Sequence, residues 1–263
     1  MLEKFFIKEK VVIITGGSGL LGSTFVEAVA EIGGIPVILD LDIKRANKLS
    51  EKIYKKYSIT PFIIKADITN KNSLKKANLK IIRKYKKIDV LINNAANNPK
   101  LAKKNDTTLE NFSLSNWNKD LDVGLKGSFL CCQVFGQEML KKKSGVIVNI
   151  SSDLGLISPD QRLYDNLNKK PVSYSVVKHG IIGLTKYIST YWADKGIRAN
   201  TLCPGGVLDN QPDEFLIKIK NLIPLNRMAD RDEYKSAIQF LSSDASSYMN
   251  GASIVIDGGR SSW

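Results

Sequence analysis

The chain has 263 residues, three cysteines and a formal net charge of +13, with 39 lysine and arginine residues against 26 acidic ones. Its length suits one α/β domain with a large core, and no apolar run approaches the roughly 18 residues of a membrane span, which excludes a membrane-embedded class. Charged residues interrupt the first ten residues, which lack the apolar stretch of a signal peptide, and the cysteines form neither a metal-binding nor a disulfide pattern. We therefore expect a cytoplasmic protein without a metal site.

The excess of positive charge is spread along the chain. Lysines recur through 44–56 and 71–87 and at 141–143, with single tyrosines at 54 and 85 but no regular alternation with aromatic residues and no nucleic-acid-binding signature. This distribution predicts a solvated, lysine-rich surface with no specific nucleic-acid partner. Attraction of an anionic substrate is the alternative.

Short apolar runs rich in β-branched residues alternate with longer segments of helical periodicity. The predicted strands are 11–15, 36–39, 61–65, 88–93, 145–151, 198–202 and 253–256, and the predicted helices are 20–32, 43–57, 70–87, 115–142, 173–195 and 231–242. Strands that are apolar throughout are typical of a sheet covered on both faces. The order predicts a single α/β domain over residues 1–263, a doubly wound parallel sheet of about seven strands flanked by helices.

Three segments with little pattern interrupt this alternation, at 97–116, 156–171 and 207–222. The first two follow the carboxyl ends of predicted strands, where open α/β sheets bind ligands. Long loops in such positions are usually binding walls or lids. We therefore expect the three segments to form the walls of a substrate pocket.

A glycine-rich turn, Thr15-Gly-Gly-Ser-Gly-Leu-Leu-Gly22, joins the first predicted strand to the first helix. Its glycines allow a tight turn and a close approach of the backbone to a pyrophosphate, which the free N–H groups at the helix start can bind. A tight strand-to-helix turn without a ligand is the alternative. The turn predicts a dinucleotide site that includes Gly16, Ser18, Gly19, Leu20 and Leu21.

Asp40 ends the second predicted strand. A carboxylate at this position can accept hydrogen bonds from the adenosine ribose hydroxyls and repels a 2′-phosphate, so we expect NAD rather than NADP. Two alternatives remain open: Asp40 could cap the helix that begins near Ile43, and Arg45 could bind a phosphate.

Tyr174 and Lys178 lie four residues apart within a predicted helix and therefore share one face. On that face the ammonium can stabilise a phenolate, whose unperturbed pKa of about 10 is otherwise too high for a base near neutrality. The spacing alone is weak evidence, because Tyr191 and Lys195 repeat it.

Taken together, these features resemble the short-chain dehydrogenase/reductase family in its compact subclass. The resemblance extends nearly end to end. It implies a Rossmann fold, a homotetramer or homodimer, and an NAD(P)-dependent reaction on a CH–OH group. Five further motifs carry it: Asp67-Ile68, Asn93-Asn-Ala-Ala96, Asn149-Ile-Ser-Ser152, Arg198-Ala-Asn-Thr-Leu-Cys-Pro-Gly-Gly206 and Asp257-Gly-Gly259.

The resemblance also implies roles for individual residues. Tyr174 would be the general acid/base, Ser152 would hold the reacting oxygen, and Lys178 would lower the pKa of Tyr174 and bind the nicotinamide ribose. Tyr174 would also contact the cofactor, and the remaining cofactor contacts would come from Asp67, Ile68, Asn94, Ala95, Pro204, Gly205 and Val207.

Two departures from the family pattern concern glycines. The spacing of Gly16, Gly19 and Gly22 fits a longer subclass that modifies nucleotide sugars. Gly124 stands where an asparagine usually completes a catalytic tetrad, so this position could contribute its backbone carbonyl but no side chain.

A third departure is an insertion within 156–171, which lengthens the segment between Ser152 and Tyr174. It brings Arg162 and Lys170 toward the expected pocket mouth, which predicts recognition of a polar or anionic substrate such as a sugar derivative. A solvated surface loop is the alternative.

The sequence therefore predicts an NAD-dependent oxidoreductase that interconverts a secondary alcohol and a ketone on a small polar substrate, with a sugar derivative as the expected type. Two alternatives remain. One is an epimerase-like enzyme that oxidises a sugar transiently, and the other is a nucleotide-bound regulatory protein without turnover, which Gly124 motivates.

Overall fold

The computed structural model describes residues 2–97 and 107–263. Residues 98–106, part of the predicted substrate segment 97–116, lie outside the described residues. The strands are β1 (Val11–Thr15), β2 (Ile35–Asp40), β3 (Phe62–Lys65), β4 (Val90–Asn93), β5 (Gly145–Ile150), β6 (Ile197–Pro204) and β7 (Ser253–Ile256). In the described residues they form one parallel sheet in the order β3-β2-β1-β4-β5-β6-β7, which confirms the predicted fold class.

Helices cover both faces of this sheet. The helices are α1 (Leu20–Glu31), α2 (Ile43–Tyr57), α3 (Lys71–Tyr85), α4 (Leu114–Leu121), α5 (Gly127–Lys142), α6 (Val172–Tyr191), α7 (Asp213–Lys220) and α8 (Lys235–Ser242). Val12 and Ile14 of β1 pack with α1, α2 and α8, whereas Val11 and Ile13 pack with α3, α5 and α6, because successive side chains of a strand point to opposite faces. None of the described helices is both long and apolar enough to cross a bilayer.

The strand order reverses between β1 and β4. From β1 the chain proceeds to β2 and β3 on one side, and from β4 it proceeds to β5, β6 and β7 on the other. The loops after β1 and β4 therefore separate and leave a crevice at the carboxyl ends of the strands, which is where a doubly wound sheet binds ligands.

The predicted helix 115–142 is divided in the structure. A π-helical turn, Asp122–Lys126, separates α4 from α5 and contains the buried Gly124. The helical stretch predicted over 115–142 is confirmed, since no residue between α4 and α5 leaves the helix. The π-helical turn within it was not predicted, because a single widened turn changes the phase of the apolar residues too little to be read from their spacing.

A further helix, α7, lies within 207–222, where the sequence predicts no element. Its eight residues follow Pro212, begin with Asp213 and Glu214, and carry an ion pair of 2.7 Å between Glu214 and Lys218. Acidic residues in a first turn and basic ones in the last favour a helix, so this signal was available in the sequence.

Candidate active site

A cavity of about 610 Å³ opens at the carboxyl ends of the strands. It brings together segments that are distant in sequence: the glycine turn, the tip of β2, the loop after β4, the start of α6 and the end of β6. The predicted site residues that line it are Gly16, Ser18, Gly19, Leu20, Leu21, Asp40, Asp67, Ile68, Asn94, Ala95, Ser152, Lys170, Tyr174, Lys178, Pro204, Gly205 and Val207. Of the other predicted site residues, neither Gly124 nor Arg162 lines it.

The glycine turn packs too closely for side chains at two of its positions. Gly16 has a φ of +60°, in the left-handed region that glycine adopts without strain, and a Cβ at Gly22 would lie 2.0 Å from the Gly16 carbonyl oxygen. Asn94 braces the turn, since its Nδ2 donates to the carbonyl oxygens of Thr15 at 3.0 Å and Gly16 at 3.1 Å. The start of α1 therefore presents its free N–H groups to the cavity, which fits a dinucleotide pyrophosphate.

Asp40 lies at the carboxyl end of β2 and is held in place by Ser18. Its Oδ2 accepts from the Ser18 backbone N–H at 2.9 Å and from the Ser18 hydroxyl at 2.6 Å, and its Oδ1 accepts from the Asp42 N–H. Asp42, not Asp40, caps α2, through a 3.0 Å bond from the Arg45 N–H. The capping alternative for Asp40 was therefore wrong. Arg45 also lines the cavity.

Tyr174 and Lys178 face the cavity from α6. Lys178 is 7% exposed, and its Nζ donates to the Ile150 carbonyl at 3.0 Å and lies 5.6 Å from the centre of the Tyr174 ring. Burial raises the pKa of Tyr174 to about 12, although a hydrogen bond with Ser152 acts in the opposite direction. Burial, with a smaller contribution from the charge of Lys170, lowers the pKa of Lys178 to about 8.

Ser152 is joined to an ion pair that the sequence pattern does not predict. Its hydroxyl donates to Asp153 Oδ1 at 2.7 Å, and Asp153 Oδ2 accepts from Arg260 Nη1 at 3.0 Å. Both charged side chains are buried, and Arg260 reaches the cavity from the turn after β7. The available signal was an aspartate directly after the serine and an arginine directly after Asp257-Gly-Gly259.

The insertion 156–171 supplies two side chains at the end of the cavity that Tyr174 lines, which we call the substrate end. Lys170 Nζ lies 3.7 Å from the centre of the Tyr174 ring, and burial lowers the pKa of Lys170 to about 8. Tyr164 packs against Phe215 of α7 with ring centres 5.9 Å apart. Gln161 fixes the backbone of Lys170, because its amide oxygen accepts from the Lys170 N–H at 3.0 Å.

Arg162 points away from this group. Its guanidinium is paired with Asp160 at 2.7 Å, and its side chain is 87% exposed. The ion pair closes a short 3-10 turn, Gln161–Leu163, whose first N–H groups Asp160 caps. A role of Arg162 in substrate binding stays a prediction that its position does not support.

Gly124 lies behind the cavity wall. A Cβ there would be 2.5 Å from Val177 Cγ1, so the side chain of the usual asparagine has no room beside this valine. The Gly124 carbonyl accepts from the Ser128 hydroxyl at 3.0 Å. A backbone-only contribution of Gly124 to catalysis stays a prediction.

The second tyrosine–lysine pair lies elsewhere. Tyr191 is 63% exposed at the end of α6, and Lys195 pairs with Asp194 at 2.6 Å. Neither side chain lines the cavity. Position in the fold therefore distinguishes two pairs that have the same spacing in the sequence.

Comparisons with known proteins agree with this geometry. A family model described as enoyl-(acyl carrier protein) reductase matches residues 19–261. D-threitol dehydrogenase of Mycolicibacterium smegmatis is 31% identical over 97% of this chain and 94% of its own length. NAD-dependent glycerol dehydrogenase of Listeria innocua is 30% identical over 98% of this chain and 96% of its own length.

Among solved structures, a gluconate 5-dehydrogenase from Burkholderia cenocepacia in complex with NADP and tartrate is similar, with a TM-score of 0.89 and 25% identity. The match covers 100% of this chain and 99% of that one. The family model and the two relatives extend over nearly the whole chain. The chain therefore belongs to the short-chain dehydrogenase/reductase family, as a compact member and an NAD(P)-dependent oxidoreductase that acts on a CH–OH group.

Proposed function

We propose that the chain is an NAD-dependent dehydrogenase that interconverts a secondary alcohol and a ketone on a small polyol or sugar-derived substrate. One observation carries this proposal: Ser152, Tyr174 and Lys178 line the same cavity as the glycine turn. The relatives named for threitol, glycerol and gluconate support the substrate class.

We assign the dinucleotide to the half of the cavity that the glycine turn forms. The start of α1 suits the pyrophosphate, Asp40 suits the adenosine ribose, and Asp67 and Ile68 suit the adenine end. When bound, the oxidised dinucleotide supplies the acceptor for the hydride that leaves the carbinol carbon. The negative charge of Asp40 favours NAD over NADP. We assign the remaining predicted contacts to the nicotinamide half of the dinucleotide: Asn94, Ala95, Pro204, Gly205 and Val207.

We assign the proton transfer to the hydroxyl of Tyr174. In the oxidation direction it takes the hydroxyl proton of the alcohol, and in the reverse direction it returns a proton to the ketone oxygen. The ammonium of Lys178, fixed on the Ile150 carbonyl, stabilises the phenolate. Each oxidation thus turns a CH–OH group into C=O, with the loss of one hydride and one proton.

Ser152 holds the reacting oxygen next to Tyr174. Its hydroxyl proton is donated to Asp153 at 2.7 Å, and rotation of the hydroxyl would direct that proton to the substrate oxygen. The single hydroxyl proton of an alcohol is then left for Tyr174. Asp153 therefore fixes the position of the Ser152 hydroxyl until a substrate oxygen replaces it as the acceptor.

We further propose that the protein is a homo-oligomer that associates through α6. Val176, Tyr187 and Tyr191 are exposed on one stripe of this helix, together with Gly183, where an added Cβ would meet nothing within 4 Å. The two tyrosine rings stack with centres 5.4 Å apart. An exposed apolar stripe of this kind is typical of a subunit contact.

The reaction is tested by incubating the protein with NAD and a panel of polyols, sugars and sugar acids. A dehydrogenase forms one reduced nicotinamide per ketone or lactone produced, whereas an epimerase changes the sugar without net formation of reduced nicotinamide. Binding of NAD without turnover of any member of the panel would favour the regulatory alternative and contradict the proposal.

A further inference from the structure

Three charged side chains surround the substrate end of the cavity and have no assigned part in hydride or proton transfer. They are Asp153, Lys170 and Arg260, and all three line the cavity beside Tyr174. Asp153 and Arg260 are 2% and 8% exposed. Buried charges of this kind are costly unless each is paired or binds a ligand.

The carboxylate of Asp153 already accepts three hydrogen bonds within the protein. Its Oδ1 accepts from the Ser152 hydroxyl and from the Leu154 N–H at 2.8 Å, and its Oδ2 accepts from Arg260 Nη1 at 3.0 Å. The negative charge of Asp153 is therefore matched by Arg260, and the charge of Lys170 is left over.

Lys170 and Arg260 both keep unused donors. Among the described residues, Lys170 Nζ has no hydrogen-bond acceptor, and its close contact is the face of the Tyr174 ring at 3.7 Å. Arg260 makes one side-chain hydrogen bond within the described part of the chain, through Nη1, so its Nε and Nη2 protons remain available. Two cations thus reach the cavity with free N–H groups.

We propose that Lys170 and Arg260 bind a carboxylate of the substrate, so that the preferred substrate is a hydroxy acid of the sugar-acid type. This inference rests on the dehydrogenase function proposed above. A guanidinium that keeps two neighbouring donors matches the two oxygens of a carboxylate. Lys178, the third cation at this end of the cavity, is held by the Ile150 carbonyl and assigned to the Tyr174 phenolate. Lys170 is then the one positive charge left for the substrate, which balances the single charge of a carboxylate better than the two charges of a phosphate monoester.

The reaction balances without a further reactant. A bound NAD would accept the hydride of the carbinol carbon, Tyr174 would take the hydroxyl proton, and the C–O single bond would become a C=O double bond. The carboxylate is unchanged, so a hydroxy acid gives a keto acid. Lys170 and Arg260 bind and orient the substrate and take neither the hydride nor the proton.

The test compares substrates that share a carbon skeleton and differ at one end: an alditol, the corresponding aldonate, and the corresponding alditol phosphate. We expect kcat/KM for the aldonate to exceed that for the alditol by about 10- to 100-fold, mainly through KM, since this is the usual value of charge-assisted hydrogen bonds. A preference for the phosphate would overturn the carboxylate assignment, and equal values for aldonate and alditol would overturn the anionic subsite.

Matched variants identify the residues. Lys170→Gln should lower the aldonate-to-alditol ratio of kcat/KM about tenfold or more, and Lys170→Arg should restore most of it. Lys169→Gln is the control, because Lys169 is the adjacent lysine and does not line the cavity, so its ratio should match that of the wild type. A ratio that Lys170→Gln leaves unchanged contradicts the proposal.

Binding without turnover separates this inference from the proposed function. Calorimetric titration with tartrate, a dicarboxylate, should give binding that Lys170→Gln abolishes and Lys169→Gln retains. If the protein oxidises alditols but neither prefers aldonates nor binds tartrate, the subsite is wrong and the dehydrogenase function stands. If no substrate is oxidised but tartrate binding still depends on Lys170, the reaction is wrong and the subsite stands.

Discussion

Asp40 sets the charge at the adenosine end of the cavity. Ser18 holds its carboxylate through two hydrogen bonds, and Arg45 lines the cavity nearby. Removing the carboxylate leaves Arg45 as the local charge, which would attract the 2′-phosphate of NADP.

We therefore predict that Asp40→Ser changes the cofactor preference from NAD toward NADP. The ratio of kcat/KM for NAD to that for NADP should fall by about 10- to 100-fold, as expected for the loss of charge-assisted hydrogen bonds. Glu51→Gln is the control, since that carboxylate is exposed on α2 and does not line the cavity. An unchanged ratio in Asp40→Ser would contradict the assignment of this residue to the ribose.

The pH dependence of alcohol oxidation is a second property of single residues. One proton must leave the group formed by Tyr174, Lys178 and Lys170 before Tyr174 can act as a base. The pKa values of both lysines are lowered to about 8 and that of Tyr174 is raised to about 12, so the first proton to leave the coupled group near pH 8 is a lysine proton. In that singly deprotonated state the Tyr174 proton can move to Lys178, which gives the phenolate beside an ammonium in a fixed proportion.

We predict that kcat/KM for oxidation rises with pH up to about 8 and is level above it. Lys170→Met removes a charge that helps to lower the pKa of Lys178, so the rise should move to higher pH. Steady-state rates across the pH range measure this, and a profile that Lys170→Met does not shift would contradict the coupling.

At the scale of elements, the π-helical turn packs against α6 at one glycine, Gly124. Val177 lies next to Lys178, and its Cγ1 occupies the space that a Cβ at Gly124 would need. The missing asparagine of the tetrad is thus explained by packing between two helices.

We expect Gly124→Asn to destabilise the protein by about 1–3 kcal/mol, the usual cost of overpacking a buried contact. The double variant Gly124→Asn with Val177→Ala should recover part of that loss, because the smaller side chain makes room. Urea unfolding of the wild type, the two single variants and the double variant measures the coupling. Additive effects of the two substitutions would contradict direct packing.

The strands and most helices could be predicted because their signals are local. Continuous apolar runs identified β1 to β7, and helical periodicity placed α2 at its observed bounds. The π-helical turn could not be found this way, since it depends on how Gly124 packs against Val177. Helix α7 was missed for another reason: eight residues span too few turns for a convincing period.

The candidate site shows the same limit. Gly16, Asp40 and Tyr174 belong to motifs whose residues are close in sequence, and they line one cavity as expected. Asp153 and Arg260 are paired across more than a hundred residues, so no spacing rule connects them. Lys170 was expected near the pocket, but its contact with the Tyr174 ring required the folded insertion.

At the scale of the whole molecule, the exposed stripe of α6 predicts an oligomer. Tyr187→Glu combined with Tyr191→Glu should convert it to monomers, because charges would replace the stacked rings in the contact. Light scattering with size-exclusion chromatography measures the mass. Tyr54→Glu on α2, an exposed tyrosine outside the stripe, is the control. A wild-type protein that is monomeric at micromolar concentration would contradict the proposed contact.

The central claim concerns Tyr174, since this residue lines the cavity that we assign to the cofactor and its hydroxyl is the group that we assign to proton transfer. Tyr174→Phe and Tyr191→Phe remove the same atom from two tyrosines that have the same sequence spacing to a lysine. The decisive measurement is the oxidation rate of each variant beside its NAD affinity. We predict that Tyr174→Phe loses about 10²- to 10⁴-fold in rate with NAD affinity retained, while Tyr191→Phe keeps the wild-type rate; a Tyr174→Phe protein that oxidises at the wild-type rate would contradict the account.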